Sequence, residues 1–576
     1  MTEKPWLKFY PDIPEDITLP DATMYELMAA TAARWPDLPA LNFLGRTLSF
    51  AQLMREVDVC AAGFTALGVT ARDSVVLSLP NVPHAVIAFY ALNKLGARAV
   101  MTHPLSSRDE LVHYITISEA RWAVTVDLFY PMFASLAKDT GLERLVIGRI
   151  PDYLSAPLKV GFALTKGRKI APVPADALVV TWKDFLAGGR AAGSAGGAAG
   201  AAYSRPIARD ETAVILFSGG TTNLPKGIEL SSDNFNALAL SLGPLAGAKE
   251  GDSVLAILPV FHGFGLGLCI HTIMSLGGLA ILVPEFSPQV YIDNLIKYQP
   301  SFIAGVPTLF EALLRNPKFK EVRFERLKGA YSGGDLLSPD LKRRFDEAIM
   351  AQGSPVELME GYGLTEAVTA CAISPQKFYR DSSMGIPAPG MLVQVCDATT
   401  GAELPFGTEG EICVYGPTLM KGYLKDPEAT AAALREHADG RVWLHTGDIG
   451  WMDPDGYFYF KGRMKRIIKV SGMSVYPMAV EQVLESHKDV NRACVIGVPD
   501  DYQVSRLKAF IILNEGVEGS DAVKADIIAY AKEHLIKWSV PKDIEFRTTF
   551  PMTKVGKIAF TELEKEELEK LAGKAG

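Results

Sequence analysis

Residues 216–235 read LFSGGTTNLPKGIELSSDNF, and the apolar run AVILF ends at Phe217. Directly behind that run come Ser218, Gly219, Gly220, Thr221 and Thr222, then Lys226. Two glycines let a backbone approach an oxyanion closely. The hydroxyls add donors and Lys226 a point charge, so the stretch reads as a cradle for phosphate at the end of a strand. It is not a Walker loop, because Lys226 is followed by Gly227-Ile228 and no GxxxxGK[ST] occurs. Taken alone it reads equally as a Ser/Thr/Gly surface turn. The neighbouring GFGLG at 263–267 lacks the third glycine and the placed acid of a dinucleotide fingerprint.

A chain of 576 residues is too long for one ordinary core, and 48% apolar with 22% charged residues describes a well-packed globular protein. A net charge of -8 argues against nucleic acid as a partner. The six cysteines follow no CxxC or metal-type spacing, which suits core thiols in a reducing cytoplasm. The N-terminus, MTEKPWLKFYPDIPEDITLP, has no signal-peptide core. Residues 255–284 carry no Asp, Glu, Lys or Arg, yet Pro259 and Gly277-Gly278 break them. That segment is expected to form strand, loop, buried helix, Gly-Gly turn and strand rather than a membrane span.

Strand-like runs (DSVVLSLP, RWAVTV, TAVILF, SVLAILP, LAILVP, FIAGVP) alternate with helix-like stretches such as AVIAFYALNKLG and VYIDNLIKYQP. The alternation predicts an α/β fold with largely parallel sheets. Residues 188–202, GGRAAGSAGGAAGAA, read as a mobile surface loop. Just upstream, SAPLKVGFALTKGRKI mixes apolar residues with Lys159, Lys166, Arg168 and Lys169. It reads as a surface helix with snorkelling lysines or as a patch touching a membrane. Short strands with Gly and Pro turns begin near Met384, and a compact α/β pattern resumes after GRMKR. These shifts predict an N-terminal domain of residues 1–463, with a β-rich subdomain at 384–463, and a mobile C-terminal domain of 464–576. The final TELEKEELEKLAGKAG is expected to be an exposed helix fraying at Gly573.

Further motifs follow in order. AYSGGDL (330–336) places a second double glycine after a strand, and EGYGLTE (360–366) offers Tyr362, Thr365 and Glu366. LHTGD (444–448) presents Asp448 in a turn, FKGRMKRIIKVSGMSVYP (460–477) is densely cationic, and PMTKVGKIAF (551–560) sets Lys557 on a loop with glycine. This ordered set, from LSFAQL at 48 to GKIAF at 556, resembles the adenylate-forming superfamily of acyl-CoA synthetases, luciferases and adenylation domains.

The resemblance implies an enzyme that uses ATP, Mg²⁺ and coenzyme A to activate a carboxylic acid as acyl-AMP and pass the acyl group to a thiol. By it, Ser218, Gly219, Gly220, Thr221, Thr222 and Lys226 hold the β- and γ-phosphates, and Glu366 carries the metal. Thr365 contacts the α-phosphate, Tyr362 stacks on adenine, and Gly334 and Asp335 line the other edges. Asp448 takes the ribose hydroxyls with Arg463 close by. Lys557 bridges the acid and the α-phosphate, and His262 lies beside the acyl carboxylate and the thiol route. Lys465 is the hinge, with Lys469, Gly472 and Met473 on a second face that enters for thioester formation. The chain departs from the family at Asn223, Ser232, Asp335-Leu336 and Val504-Ser505, none of which removes a principal charged residue.

The N-terminal layout, with LNFLGRTLSFAQL, LPN and HPLSSRDEL, is most similar to bacterial medium- and long-chain fatty acyl-CoA synthetases. The small apolar residues of GFGLGLCIHTIM and AVTACAIS suit an alkyl tunnel, at about 0.8 kcal/mol per buried CH₂. Aryl and sterol acids, a carrier-protein phosphopantetheine as acceptor, and a nucleotide-binding scaffold without turnover are the alternatives. Contact with the inner membrane face and a homodimer are left open.

Overall fold

The computed structural model describes residues 4–10, 13–194, 204–218, 225–285, 287–471, 473–500, 504–553 and 557–574. Among them, eight strands form one sheet in the order Gly422–Tyr423, Gly227–Ser231, Thr212–Phe217, Arg98–Met101, Ser74–Ser78, Trp122–Val126, Arg144–Gly148 and Val179–Thr181. From Thr212–Phe217 outward through Val179–Thr181 every pairing is parallel, whereas Gly227–Ser231 runs antiparallel to its neighbours. Strands buried on both faces must read as continuous apolar runs, and TAVILF, SVVLS and WAVTV do so.

A nine-stranded sheet is built in the same way, its parallel centre holding Leu358–Gly363, Gly329–Gly333, Phe302–Gly305, Ser253–Ala256, Leu279–Leu282 and Pro39–Phe43. Residues 255–284 form strand, loop, the buried helical segment Phe264–Ser275, a turn at Gly277 (φ +83°) and strand, as expected from their breaks. No helix among the described residues is long and apolar enough to cross a membrane. An antiparallel sheet of Leu392–Cys396, Gly410–Tyr415, Val442–Met452, Leu434–Glu436 and Phe458–Arg463 follows. Beyond it lie a hairpin (Ile468–Val470 and Met473–Val475) and a three-stranded sheet packed by the helices Pro477–Glu485, Asp521–His534 and Phe560–Lys574. All six cysteines are free and buried, small core residues as their spacing suggested.

Two expectations are corrected. The low-complexity stretch begins inside the helix Trp182–Ser194, and residues 195–203 lie outside the described set. Small residues there serve packing: a Cβ on Gly189 would fall 2.1 Å from the Val59 carbonyl oxygen, so the two helices meet backbone to backbone. The C-terminal helix is not merely exposed. Leu563 is buried against Phe510, and Glu567 accepts from Lys508 Nζ at 2.7 Å in the same protected strip.

Deep in the core, His271 is held by the Tyr90 hydroxyl at Nδ1 (3.1 Å) and by Asn236 Oδ1 at Nε2 (3.0 Å). Burial pushes its imidazole down to about 3. The unfolded chain takes up a proton near pH 6.5 where the folded chain does not, so stability is lost as pH falls from that point toward 3. His271→Asn should remove about 2 kcal/mol of the stability lost between pH 7 and 5. Urea midpoints of both proteins at the two pH values check this.

Candidate active site

The cleft lies where the nine-stranded and antiparallel sheets meet the C-terminal sheet and helices. It has a volume of about 580 Å³ and is lined by Gly334, Asp335, Tyr362, Asp448, Arg463 and Lys557, with Phe460 beside them. Each arrives by a local rule. Gly334 follows a parallel strand at φ +83°, a conformation that favours glycine. A Cβ there would stand 3.8 Å from Lys557 Cε, so the lysine from the C-terminal loop lies against this glycine. Lys557 is fixed at its backbone by Thr553, whose amide donates to the Lys557 carbonyl (2.7 Å) and whose Oγ1 accepts from the Lys557 amide (3.0 Å). Burial, and then the charge of Arg463, push the Lys557 ammonium below its ordinary value, against the pull of Asp335 and Asp448.

Asp448 and Arg463 are cross-strand partners. The Asp448 carboxylate is buried, accepts from the Tyr362 hydroxyl at 2.8 Å through Oδ2, and has Arg463 Nε 3.2 Å from Oδ1. That contact is an ion pair lying off the hydrogen-bonding line, so Oδ1 is a buried acceptor with no hydrogen-bond donor among the described residues. Burial raises the Asp448 pKa, while Arg463 and the Tyr362 hydroxyl oppose the rise. Tyr362 itself is buried, edge-on to Phe458 at 5.2 Å.

A second group gathers at the open end of the hairpin formed by Thr212–Phe217 and Gly227–Ser231. The Ser218 amide donates to the Lys226 carbonyl (3.1 Å), and Ser218 Oγ accepts from the Lys226 amide (3.2 Å). The loop between them therefore returns as a strand, unlike a Walker loop. Lys226 Nζ lies 4.7 Å over the Tyr423 ring and 3.5 Å from Asp426, and the Tyr423 hydroxyl donates to Glu366 Oε1 at 2.9 Å. Thr365 precedes Glu366 in the same short helical turn. Gly219, Gly220, Thr221 and Thr222, like Gly472, lie outside the described residues.

His262 is half-buried, and its Nδ1 accepts the Phe264 amide at 3.2 Å, which leaves the ring proton on Nε2. Burial, then the charge of Lys557, push its pKa down to about 4. Lys465, Lys469 and Met473 are exposed and stand apart from the cleft lining, with Lys469 Nζ donating to Ser474 Oγ at 2.5 Å. Ser232, one of the departures, accepts from Asn93 Nδ2 at 3.0 Å. Sequence reasoning missed Tyr423, Asp426 and Phe460. Tyr423 sits on a two-residue strand, too short for any periodicity, and only its pairing beside Ile228 brings it to Lys226.

Asp448, with its unmatched acceptor, and the C-terminal Lys557 share one cleft, and the family that this chain matches is that of the AMP-binding enzymes. The chain belongs to that family, and so to the adenylate-forming superfamily: the AMP-binding enzyme model matches residues 28–424 and the model of its C-terminal domain matches 479–557. The long-chain-fatty-acid–CoA ligase of Bacillus subtilis is 32% identical over 99% of both chains, and that of Salmonella typhimurium is 30% identical over 100% of both. Among solved structures, the ATP-bound MatB of Rhodopseudomonas palustris matches with a TM-score of 0.79 at 25% identity, covering 95% of this chain and 99% of its own. The anthranilate CoA ligase AuaEII, bound to anthranoyl-AMP, shares the fold with a TM-score of 0.83 at 24% identity, over 96% and 99% of the two chains.

Tyr362→Phe removes the one hydrogen-bond donor to Asp448 Oδ2. The bond is to a charged group, so the loss should cost about 1.5–3 kcal/mol while the carboxylate is ionised. The folded pKa is already raised, so the cost is full above it and shrinks as pH falls and the carboxyl takes up its proton. Denaturant unfolding at pH 8 and pH 4 should show the larger deficit at pH 8.

Proposed function

We propose that this chain is an ATP-dependent acid–CoA ligase whose acid is a medium- or long-chain fatty acid. The observation that carries the proposal is the C-terminal Lys557 held against Gly334 in the cleft that also contains the free oxygen of Asp448. In the first step a carboxylate oxygen attacks the α-phosphorus of ATP and pyrophosphate leaves. The reaction brings an anion onto a polyanion, so the site must supply positive charge and donors. Lys557 would supply charge where the acid and α-phosphate meet, and Arg463 stands beside it. Asp448 Oδ1 would accept a ribose hydroxyl, with Gly334, Asp335 and Tyr362 bordering the base. Ser218, Lys226 and the loop between them would hold the β- and γ-phosphates, and Thr365 the α-phosphate.

Glu366, a hard oxygen donor oriented by Tyr423 and set beside Lys226, fits a magnesium ion completed by phosphate oxygens and water. Such an ion would neutralise phosphate charge. His262, neutral at working pH, would donate its Nε2–H to an oxygen of the acid. In the second step the CoA sulfur attacks the acyl carbon and AMP leaves. Lys557 must first withdraw, by rotation of residues 464–576 about Lys465, so that the face carrying exposed Lys469 and Met473, with Gly472 between them in sequence, can approach.

The fatty-acid reading is supported by what the Bacillus and Salmonella relatives act on and by full-length identity near 30%. CoA-dependent AMP formation should peak among alkanoic acids of medium or long chain; a strong aryl and flat alkanoate response overturns the substrate. Lys557→Ala should slow pyrophosphate release about 100- to 1000-fold while sparing thioester formation from supplied acyl-AMP. An undiminished first step overturns the mechanism.

We also infer contact with an anionic lipid surface. The helix Ala156–Leu164 buries none of its residues, and Leu158, Val160 and Leu164 are 45, 61 and 57% exposed. Nine residues are too few for a helix stable on its own in water. Lys159, Arg168 and Lys169 stand exposed around it, a local positive charge on a chain of net charge -8. Replacing Leu158, Val160 and Leu164 by Ser should abolish co-sedimentation with phosphatidylglycerol vesicles; unchanged binding overturns the inference.

A further inference from the structure

A line of hydrogen bonds leaves the cleft at Asp448 and runs through the antiparallel sheet to the surface. His445 pairs with Cys413 and Ile449 with Glu411, so Thr446, Gly447 and Asp448 stand opposite Ile412 alone. Such a bulge breaks the ladder and re-aims a side chain. Here it puts Asp448 on the cleft wall. Gly447 takes φ +71°, and the bulge amides need partners from side chains. The Asp448 amide donates to Thr446 Oγ1 at 3.0 Å, and the Gly447 amide donates to Glu411 Oε1 at 2.8 Å.

The other Glu411 oxygen faces His445 Nδ1 at 2.7 Å. A carboxylate only accepts, so His445 carries its proton on Nδ1 and offers Nε2 as acceptor. His437 Nε2 is 2.9 Å from that nitrogen and must donate to it. Its own Nδ1 is then an acceptor, and Gln394 Nε2 meets it at 2.9 Å. From Gln394 through His437 and His445 every bond donates toward Glu411, which also accepts from the Gly447 amide on its other side. Glu411 and His445 are buried, whereas His437 is half-exposed.

We propose that Glu411, His445 and His437 are positioning residues for Asp448, a role that rests on the ribose-binding reading above. The line acts at the Gly447 amide, one residue from the carboxylate it places. Glu411 is fixed at both oxygens only while His445 keeps its proton on Nδ1. His437 enforces that tautomer from the far side by denying Nε2 a proton of its own. Cys396, Cys413 and His437 also place ligating atoms within 4.8 Å of one another. A soft cation held there through His437 Nε2 would cut the line, so that mode of binding excludes the positioning role.

The test uses the full chain and its Asp448→Asn, Glu411→Gln, His437→Ala and His437→Gln variants. His437 is half-exposed, so its variants keep the question answerable if Glu411→Gln fails to fold. Asp448→Asn should raise the KM for ATP, and His437→Ala should raise it about tenfold with kcat and the KM for the acid little changed. His437→Gln keeps a donor at that point and should restore it. In ¹⁵N-histidine spectra His445 should be the Nδ1–H tautomer, turning mixed in His437→Ala. An unchanged Asp448→Asn enzyme removes the ribose reading and this proposal with it. A normal KM for ATP in His437→Ala beside a defective Asp448→Asn, an Nε2–H tautomer of His445, or one equivalent of zinc in the purified protein overturns the positioning role alone.

Discussion

The site depends on charges kept in a protein wall without full compensation. Lys557 is destabilised as a cation by burial and by Arg463, and Asp448 is destabilised as an anion by burial. Neither is matched one to one: Arg463 stands beside the Asp448 oxygen that keeps a free acceptor. An arrangement of this kind costs folding stability, because buried charge is tolerated only with partners. On the proposed reading, a nucleotide supplies them. Phosphate charge would relieve Lys557 and a ribose hydroxyl would complete Asp448, so the cleft favours a bound anion more than the same groups on an open surface could.

The C-terminal elements that face the cleft have the same character. Arg466 is paired with Glu481 at 2.5 Å and lies 4.5 Å from the Phe560 ring, while its charge reaches Asp335 across the cleft. Glu485 is pushed up to about 7 by burial first, with Glu481 and Asp335 adding to the rise. Contacts that reach Asp335 only through charge across the cleft are easier to part than apolar packing, because water can replace them. On the proposed reading, this suits a C-terminal domain that presents two faces in turn.

Much of the fold was legible because it rests on local patterns. The parallel strands are apolar on both faces, and the breaks at Pro259 and Gly277-Gly278 settled the uncharged segment as strand, helix and strand. The misreadings have one source, which is packing between distant segments. Glycine and alanine at 188–194 look like linker composition, yet Gly189 is where one helix backbone meets another. The acidic periodicity of the last helix concealed Glu567, which is buried because Lys508 of a distant strand needs it. At the site, the charged residues announced themselves by motif. Their supports did not: Tyr423 reaches Lys226 through a two-residue strand, and Glu411 reaches Gly447 across a bulge.

On the proposed reading, the segment joining Thr212–Phe217 to Gly227–Ser231 binds phosphate without a Walker backbone. A Walker loop leads from a strand into a helix, whose N-terminal amides and dipole attract the anion. Here the described chain resumes as an antiparallel strand from Gly227 rather than as a helix. Attraction must come from side chains and loop amides. Lys226 over Tyr423 and Tyr423 on Glu366 place a cation and a carboxylate on either side of one phenol. Lys226 pairs instead with Asp426 at 3.5 Å; on the proposed reading, phosphate would draw on Lys226 and a metal on Glu366.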